Sequence, residues 1–284
     1  MLSHSALVVG LARDCAAALP DTVSRLEDIR GSFRAVEYII VTNDSRDQTA
    51  SILRLWADKR ADVSIICLDG VARALPHRTA RLSFARNVYL CELRHRIDKL
   101  HSPDLLVVAD FDGVNNNLIT GSEFERAITT APLEWGAIFA NQRLAYYDIW
   151  ALRHPIWSAD DCWAQMQAAR NPFFRRRSSK AVVRNAHLKQ VRIDPAEAPI
   201  EVNSAFGGFA IYRTRYLENA WYGGIDQAGR EVCEHVAFNA AVSRNGGRLF
   251  IIPSLLNDAP QEHLSREYSG RATKPWLRNS SAHR

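Results

Sequence analysis

Over its first 110 residues the chain alternates short apolar runs rich in β-branched residues with stretches of helical spacing. No other feature constrains the fold as strongly. Residues 7–11 read as a strand, and residues 20–29 as a helix opened by Pro20. A second strand is predicted at 38–41, helical spacing at 49–56 and a third strand at 63–68. Leu82, Ala85, Tyr89, Leu93, Ile97 and Leu100 then recur every three or four residues, which predicts one long amphipathic helix. Residues 105–108 form a fourth apolar run. Strand and helix in this alternation imply an α/β fold with a mostly parallel central sheet flanked by helices. Ligands of such sheets bind beyond the carboxyl ends of the strands. The polar residues that follow each strand, Arg13 and Asp14, 43–47, and 110–112, are therefore expected to converge.

The second half is less regular. Aromatic residues crowd 142–163 (Tyr146, Tyr147, Trp150, Trp157, Trp163), and a basic run follows from Arg175 to Lys180. Core packing is the default for such aromatics, with about half of them expected to be structural. The run reads as a solvated loop, with closure over a diphosphate or contact with a lipid phosphate as the functional alternative. Gly207 and Gly208 lie between apolar residues, 231–243 read as a helix, and 249–252 as a strand closed by Pro253. Neither an internal repeat nor a Pro-, Gly- or Ser-rich linker divides the chain, so one domain is expected over 1–284.

Composition excludes little. A 47% hydrophobic, 24% charged chain is ordinary for a globular protein, and a net charge of +5 suits an anionic partner or merely a soluble surface. The five cysteines are scattered and never paired as Cys-x-x-Cys, which argues against a disulfide framework and points to a reducing, cytoplasmic setting. The apolar start lacks a basic leader and is interrupted by Arg13 and Asp14, and no run reaches the ~20 apolar residues of a membrane span. Peripheral membrane contact is the most that is expected.

Chemistry concentrates at Val108-Ala109-Asp110-Phe111-Asp112-Gly113. Carboxylates two residues apart at a strand end face one side, with Phe111 turned to the other. Held that close they repel, and a hard divalent ion such as Mn2+ or Mg2+, itself bound to phosphate oxygens, supplies the missing charge. The plain alternative is a turn at Asp112-Gly113. The run 42–49 can contact a nucleoside, or simply cap the helix that follows. Arg81 and Arg86, placed by the spacing near a helix start, suit a diphosphate, with surface salt bridges as the alternative.

The strand ending Val9-Gly10-Leu11-Ala12-Arg13, the run from Asn43 to Thr49, Ala85-Arg86-Asn87 and Asp110-Phe111-Asp112 stand in the order seen in GT-A glycosyltransferases. Ala-Arg-Asn ahead of Asp-x-Asp resembles family 2 of those enzymes. Tyr146-Tyr147-Asp148-Ile149-Trp150-Ala151-Leu152-Arg153, with 204–212 and Cys233-Glu234-His235-Val236, resembles the capsule mannosyltransferase group, family 69. These motifs extend from about residue 6 to residue 263. The resemblance implies a nucleotide-diphosphate sugar donor, with mannose the sugar by the family 69 likeness, and a glycan or glycolipid acceptor. It implies nucleoside contacts from Leu11, Ala12, Arg13 and Asn43, and diphosphate contacts from Arg81 and Arg86. Asp110 and Asp112 would hold Mn2+ or Mg2+, with Asp110 also facing the donor and His263 completing the metal shell. Glu234 would be the acceptor-side base of an inverting enzyme, or would only orient substrate in a retaining one, and Glu234-His235 departs from the usual Glu-Asp pair. Tyr147, Trp150, Gly207, Gly208 and His235 would line the acceptor or sugar. Residues 1–115 form the donor half, 116–265 the acceptor half and 266–284 a polar tail.

Two rivals remain at this level. The Asp110-Phe111-Asp112-Gly113 run resembles the first motif of haloacid-dehalogenase-like phosphatases, but three strand–helix units precede it and no later Gly-Asp-x-x-x-Asp follows; Asp160-Asp161 lies in a helix-like stretch. A basic nucleic-acid or phosphate-binding module explains the arginine run but leaves the paired aspartates idle, so no nucleic-acid partner is expected.

Overall fold

A computed structural model of the chain describes residues 2–98, 102–168, 186–259 and 263–264. Leu100, the 175–180 basic run and the 266–284 tail lie outside the described residues. Among them eight strands form a single sheet: β1 (Ser5–Ala12), β2 (Ala35–Asn43), β3 (Val63–Leu68), β4 (Leu105–Asp110), β5 (Trp135–Gln142), β6 (Ile200–Glu201), β7 (Phe209–Arg213) and β8 (Arg248–Asn257). Their order across the sheet is β3-β2-β1-β4-β7-β5-β8-β6. The β1/β2, β2/β3, β1/β4 and β5/β8 pairs are parallel, and β7 runs antiparallel between β4 and β5. The expected mostly parallel α/β sheet is what the chain forms. Strands from both halves of the sequence share it, because β7 is inserted beside β4.

Successive side chains of a strand face opposite sides of the sheet, and both sides here are apolar. Leu7 and Val9 of β1 join Val108 of β4 under helices α4 (Arg78–Asp98) and α7 (Glu234–Arg244), through Tyr89, Leu93, Phe238 and Val242. Ala6, Val8 and Val107 face α1 (Leu19–Arg30), α2 (Thr49–Asp58) and α5 (Gly121–Thr129), through Leu26, Leu53 and Phe124. Two short helices, α3 (Val71–Ala74) and α6 (Cys162–Ala168), sit in the connections. The near-continuous apolar runs of β1 and β4 follow from burial on both faces.

The predicted elements before residue 110 are all present, with bounds displaced by a few residues. Two placements differ. Pro253 does not close the last strand: β8 runs to Asn257, and its pairing with β5 jumps from Ala140↔Ile252 to Asn141↔Leu256. Proline lacks an N–H for the ladder, and a bulge removes that requirement; the Pro253 carbonyl accepts from Asn141 Nδ2 at 3.0 Å. Arg86 is not near a helix start, because α4 begins at Arg78. Eight residues place it about 12 Å along the axis.

The C-terminal ends of β1, β2 and β4 lie at one edge of the sheet, with Ala12 beside Thr42 and Leu11 beside Asp110. The antiparallel β7 starts there, with Phe209 beside Ala109. The convergence expected from the sequence is thus built by strand register. A shallow indentation by Ser5, Ala35 and Pro103 lies at the opposite strand ends, away from the acidic residues.

Candidate functional site

At the end of β4, Phe111 is fully buried in the core and Asp112 is exposed, as the alternation requires. Phe111 packs on Gly10 of β1, where any Cβ would collide with its ring and with the Ala109 carbonyl. Asp110 stands between, its side chain 24% exposed. Its carboxyl is pushed up to about 7 by burial; the Arg86 guanidinium offsets part of that rise and the Asp112 charge adds to it.

Arg86 is the electrostatic centre of the site. Its side chain, 3% exposed, rises from the sheet-facing side of α4 and reaches two carboxylates. Nη2 donates to Asp110 Oδ1 at 3.2 Å and Nε to Glu234 Oε1 at 3.1 Å. The guanidinium also lies 5.1 Å from the Phe206 ring centre and 5.6 Å from that of Tyr222, within cation–π range. Arg86 thus braces Asp110 from behind; the structure gives it carboxylates where the sequence suggested a diphosphate.

Glu234 opens α7 and its side chain is 5% exposed. Its Oε1 is taken up by Arg86, so the structure places Glu234 in the buried brace behind Asp110. His235, 3% exposed, stacks on Phe206 at 3.8 Å between ring centres and meets Tyr222 edge-on. Among the described residues neither ring nitrogen has a hydrogen-bond partner, Nε2 lies 3.6 Å from Glu234 Oε1, and burial followed by the Arg86 charge holds its pKa well below the usual histidine range. It belongs to the packed floor and does not line an open acceptor cleft.

Gly207 (φ +66) and Gly208 (φ +81) occupy left-handed backbone, and side chains there would collide with the protein itself. A Cβ on Gly207 would lie 2.5 Å from Gln142 Nε2, and one on Gly208 2.6 Å from Val114 Cγ1. Their smallness admits neighbouring protein atoms, where the sequence suggested a sugar. The pair anchors a buried polar network. Gly208 O accepts from Asp110 N–H and Asn115 Nδ2, both at 2.9 Å. Gly207 O accepts from Gln142 Nε2 at 3.0 Å and Asn257 Nδ2 at 2.8 Å.

The remaining candidates divide. Leu11 and Arg13 are half-buried and Asn43 ends β2, all at the site edge; Ala12 is buried and offers only its backbone. The loops after β1 and β2 are laced together: Asp14 Oδ1 accepts from Arg46 N–H at 2.7 Å, and Asp47 from Ala16 and Thr49 N–H at 2.9 and 3.0 Å. Asp44 accepts from Gly70 and Ala72 N–H, tying the loop to α3. Asp47 thus meets the first residue of α2, in line with the capping alternative, whereas Asp44 serves α3. Arg81 donates to the Leu75 and Pro76 carbonyls at 2.8 and 2.7 Å, so it fixes a loop and does not stand at the paired aspartates' brace. Tyr147 is half-buried, and Trp150 is half-buried with its ring 5.2 Å from that of Trp163; Tyr146 and Trp157 are core. Asp161 caps α6 and pairs with Arg153, a structural role.

Asp110 and Asp112, close enough for the Asp112 charge to act on Asp110, offer oxygen donors only. His263 is exposed and stacks on Tyr147 at 5.8 Å. Among the described residues no three His, Cys, Asp or Glu side chains form a metal-holding group, so His263 does not close a three-ligand shell with Asp110 and Asp112. An open pair of carboxylates still fits Mg2+ or Mn2+, which take substrate phosphates and water as their other ligands. No helix among the described residues is long and apolar enough to cross a membrane.

No protein-family model and no curated protein matches the chain. Among solved structures, the chain is similar to a mannosyltransferase from Pyrobaculum calidifontis in complex with GDP-Man and Mn2+, at 14% identity and a TM-score of 0.49, over 94% of this chain and 59% of that one. It is similar to residues 1–349 of TarS from S. aureus, at 13% identity and a TM-score of 0.47, over 89% of this chain and 59% of that one. It is also similar to glucosyl-3-phosphoglycerate synthase from M. tuberculosis, at 12% identity and a TM-score of 0.41, over 91% of this chain and 73% of that one. The chain spans under two thirds of the length of the first two, at 59% of each.

Proposed function

We propose that the chain is a metal-dependent glycosyltransferase with a GT-A-like single domain, moving a sugar from a nucleotide-diphosphate donor to a glycan or glycolipid acceptor. The observation that carries the reading is the Asp110–Asp112 pair at the carboxyl edge of the sheet, with Asp110 braced by the buried Arg86–Glu234 pair. Two carboxylates cannot bind a diphosphate directly, since like charges repel. Asp110 and Asp112 would hold Mn2+ or Mg2+, and such an ion offsets the charge that builds on a leaving nucleoside diphosphate.

The chain's own contribution is preorganisation. Arg86 and Glu234 fix the rotamer of Asp110, so that one carboxylate oxygen is committed to the guanidinium. Leu11, Arg13 and Asn43, flanking Asp110 on the β1 and β2 side, suit a nucleoside. Tyr147 and Trp150, on the β5 side, suit sugar rings, which stack on aromatic faces. Mannose as the transferred sugar follows from the family 69 resemblance. The peripheral membrane contact inferred for a glycolipid acceptor belongs to the same reading. A phosphatase nucleophile at Asp110 fits less well, because its carboxylate is already paired with Arg86.

The test is turnover. Incubated with GDP-Man or UDP-GlcNAc and Mn2+, the protein should release nucleoside diphosphate slowly even without acceptor, and EDTA should abolish release. Hydrolysis of a simple phosphomonoester, with no action on either nucleotide sugar, would overturn the reading.

A further inference from the structure

A third acidic side chain stands at this edge of the sheet. Asp148 follows Tyr147 in the loop after β5. Its Oδ2 accepts from Gly207 N–H at 3.1 Å and its Oδ1 from Ala151 N–H at 3.3 Å. Gly208, the next residue, accepts from Asp110 N–H at 2.9 Å. The glycine pair thus fastens Asp148 to the start of the Asp-x-Asp turn. The Tyr147 hydroxyl registers the same cluster: burial, then the charges of Asp148, Asp110 and Asp112, push it well above the usual tyrosine range.

One guanidinium serves Asp110 and Glu234, and among the described residues Asp148 forms no ion pair. Burial pushes its carboxyl up, the two backbone N–H bonds offset part of that rise, the nearby Glu234 charge adds to it and the His263 charge lowers it. A carboxylate has about four lone-pair positions, and backbone donors occupy two here. Asp148 is half-buried, so its remaining positions are open to a donor from solvent or from a ligand. Sheet order tells which donor reaches it. With a nucleoside over β1 and β2 and a diphosphate at the end of β4, the far end of the molecule extends toward β7 and β5, where Asp148 lies. The group attached there is a sugar, and sugars present hydroxyl donors.

Resting on the glycosyltransferase reading, we propose that Asp148 contacts the substrate, accepting a hydrogen bond from a hydroxyl of the transferred sugar.

The experiment compares wild type with Asp148→Asn, which keeps shape and one carbonyl oxygen. Affinities for UDP, GDP, UDP-GlcNAc and GDP-Man are measured calorimetrically with Mn2+, alongside the thermal midpoint at pH 8. Expected are a midpoint lowered only by the loss of one backbone hydrogen bond, since the amide can accept from just one of the Gly207 and Ala151 N–H groups, unchanged binding of the nucleoside diphosphate, and nucleotide-sugar binding weaker by about tenfold or more, as for loss of a charged hydrogen bond. Deoxy forms of the bound nucleotide sugar give a second measure that does not depend on the variant's stability. One of them should lose that same factor in wild type and nothing further in Asp148→Asn. Equal effects on nucleotide and nucleotide sugar, or additive losses with every deoxy donor, overturn the Asp148 assignment alone. Wild type binding neither UDP nor GDP overturns the glycosyltransferase reading and this assignment with it.

Discussion

Replacing Arg86 by methionine tests the electrostatic core of the site. The substitution keeps a long unbranched side chain in α4 but removes the cation that Asp110 and Glu234 share. Breaking a buried ion pair by deleting one partner costs about 3–5 kcal/mol, because a charge is left buried and uncompensated. Lost cation–π contact with Phe206 and Tyr222 adds about 1 kcal/mol. For a chain of this length that is a fall in thermal midpoint of roughly 6–12 °C. The pH dependence separates charge from packing. Burial already holds the Asp110 carboxyl above its unfolded value, and removing the guanidinium, which offsets part of that rise, raises it further. Stability tied to such groups is intact at low pH and is lost as pH rises through the folded values. Urea denaturation of wild type and Arg86→Met at pH 5 and pH 8 should therefore show a deficit of about 3–5 kcal/mol at pH 8 that shrinks to about 1–2 kcal/mol at pH 5. A deficit equal at both pH values would mean that Arg86 matters only as filler, and the reasoning would fail.

Two other outcomes follow from the site. Because Asp110 titrates at about 7 in the free protein, protons compete with a cation there, and Mn2+-dependent binding of UDP or GDP should be about tenfold weaker at pH 6 than at pH 8 by calorimetry; a flat profile would show that Asp110 is not a ligand. Gly207→Ala should lower stability by about 3 kcal/mol or more in denaturant titration, combining left-handed strain with overpacking against Gln142, while Gly246→Ala, at φ +89 with open space around it, should lose only about 1–2 kcal/mol. Equal losses would mean that Gln142 moves aside freely.

How far the sequence speaks depends on whether the cause is local. The strands and helices before residue 110 are legible because two-sided burial writes apolar runs and helical spacing directly. The Asp110-Phe111-Asp112 alternation is legible for the same reason. Arg86 is misread by motif position, although a signal existed: Ala85, Tyr89 and Leu93 mark the buried face of α4, and Arg86 sits within it, three residues before Tyr89. A cation inside an apolar stripe requires buried carboxylate partners, and these come from β4 and from α7, 148 residues away. Asp148 lies inside the 146–153 motif, yet the motif gives it no role, since its contact with Gly207 comes from the turn before β7. Gly207 and Gly208 look equally suited to a ligand or to close packing; only the positions of Gln142 and Val114 decide. Pro253 ends a strand in most settings, and the bulge opposite Asn141 that carries β8 past it depends on the partner strand.

The account rests most directly on cation-dependent nucleotide binding at the paired aspartates. In a thermal-shift titration of UDP and GDP with Mn2+, one nucleotide at a hundred times its dissociation constant should stabilise wild type by about 2.7 kcal/mol. That shift should vanish with EDTA and in Asp112→Ala, whose exposed side chain makes truncation harmless to the fold. A shift that persists in Asp112→Ala, or that appears undiminished without metal, would contradict the account.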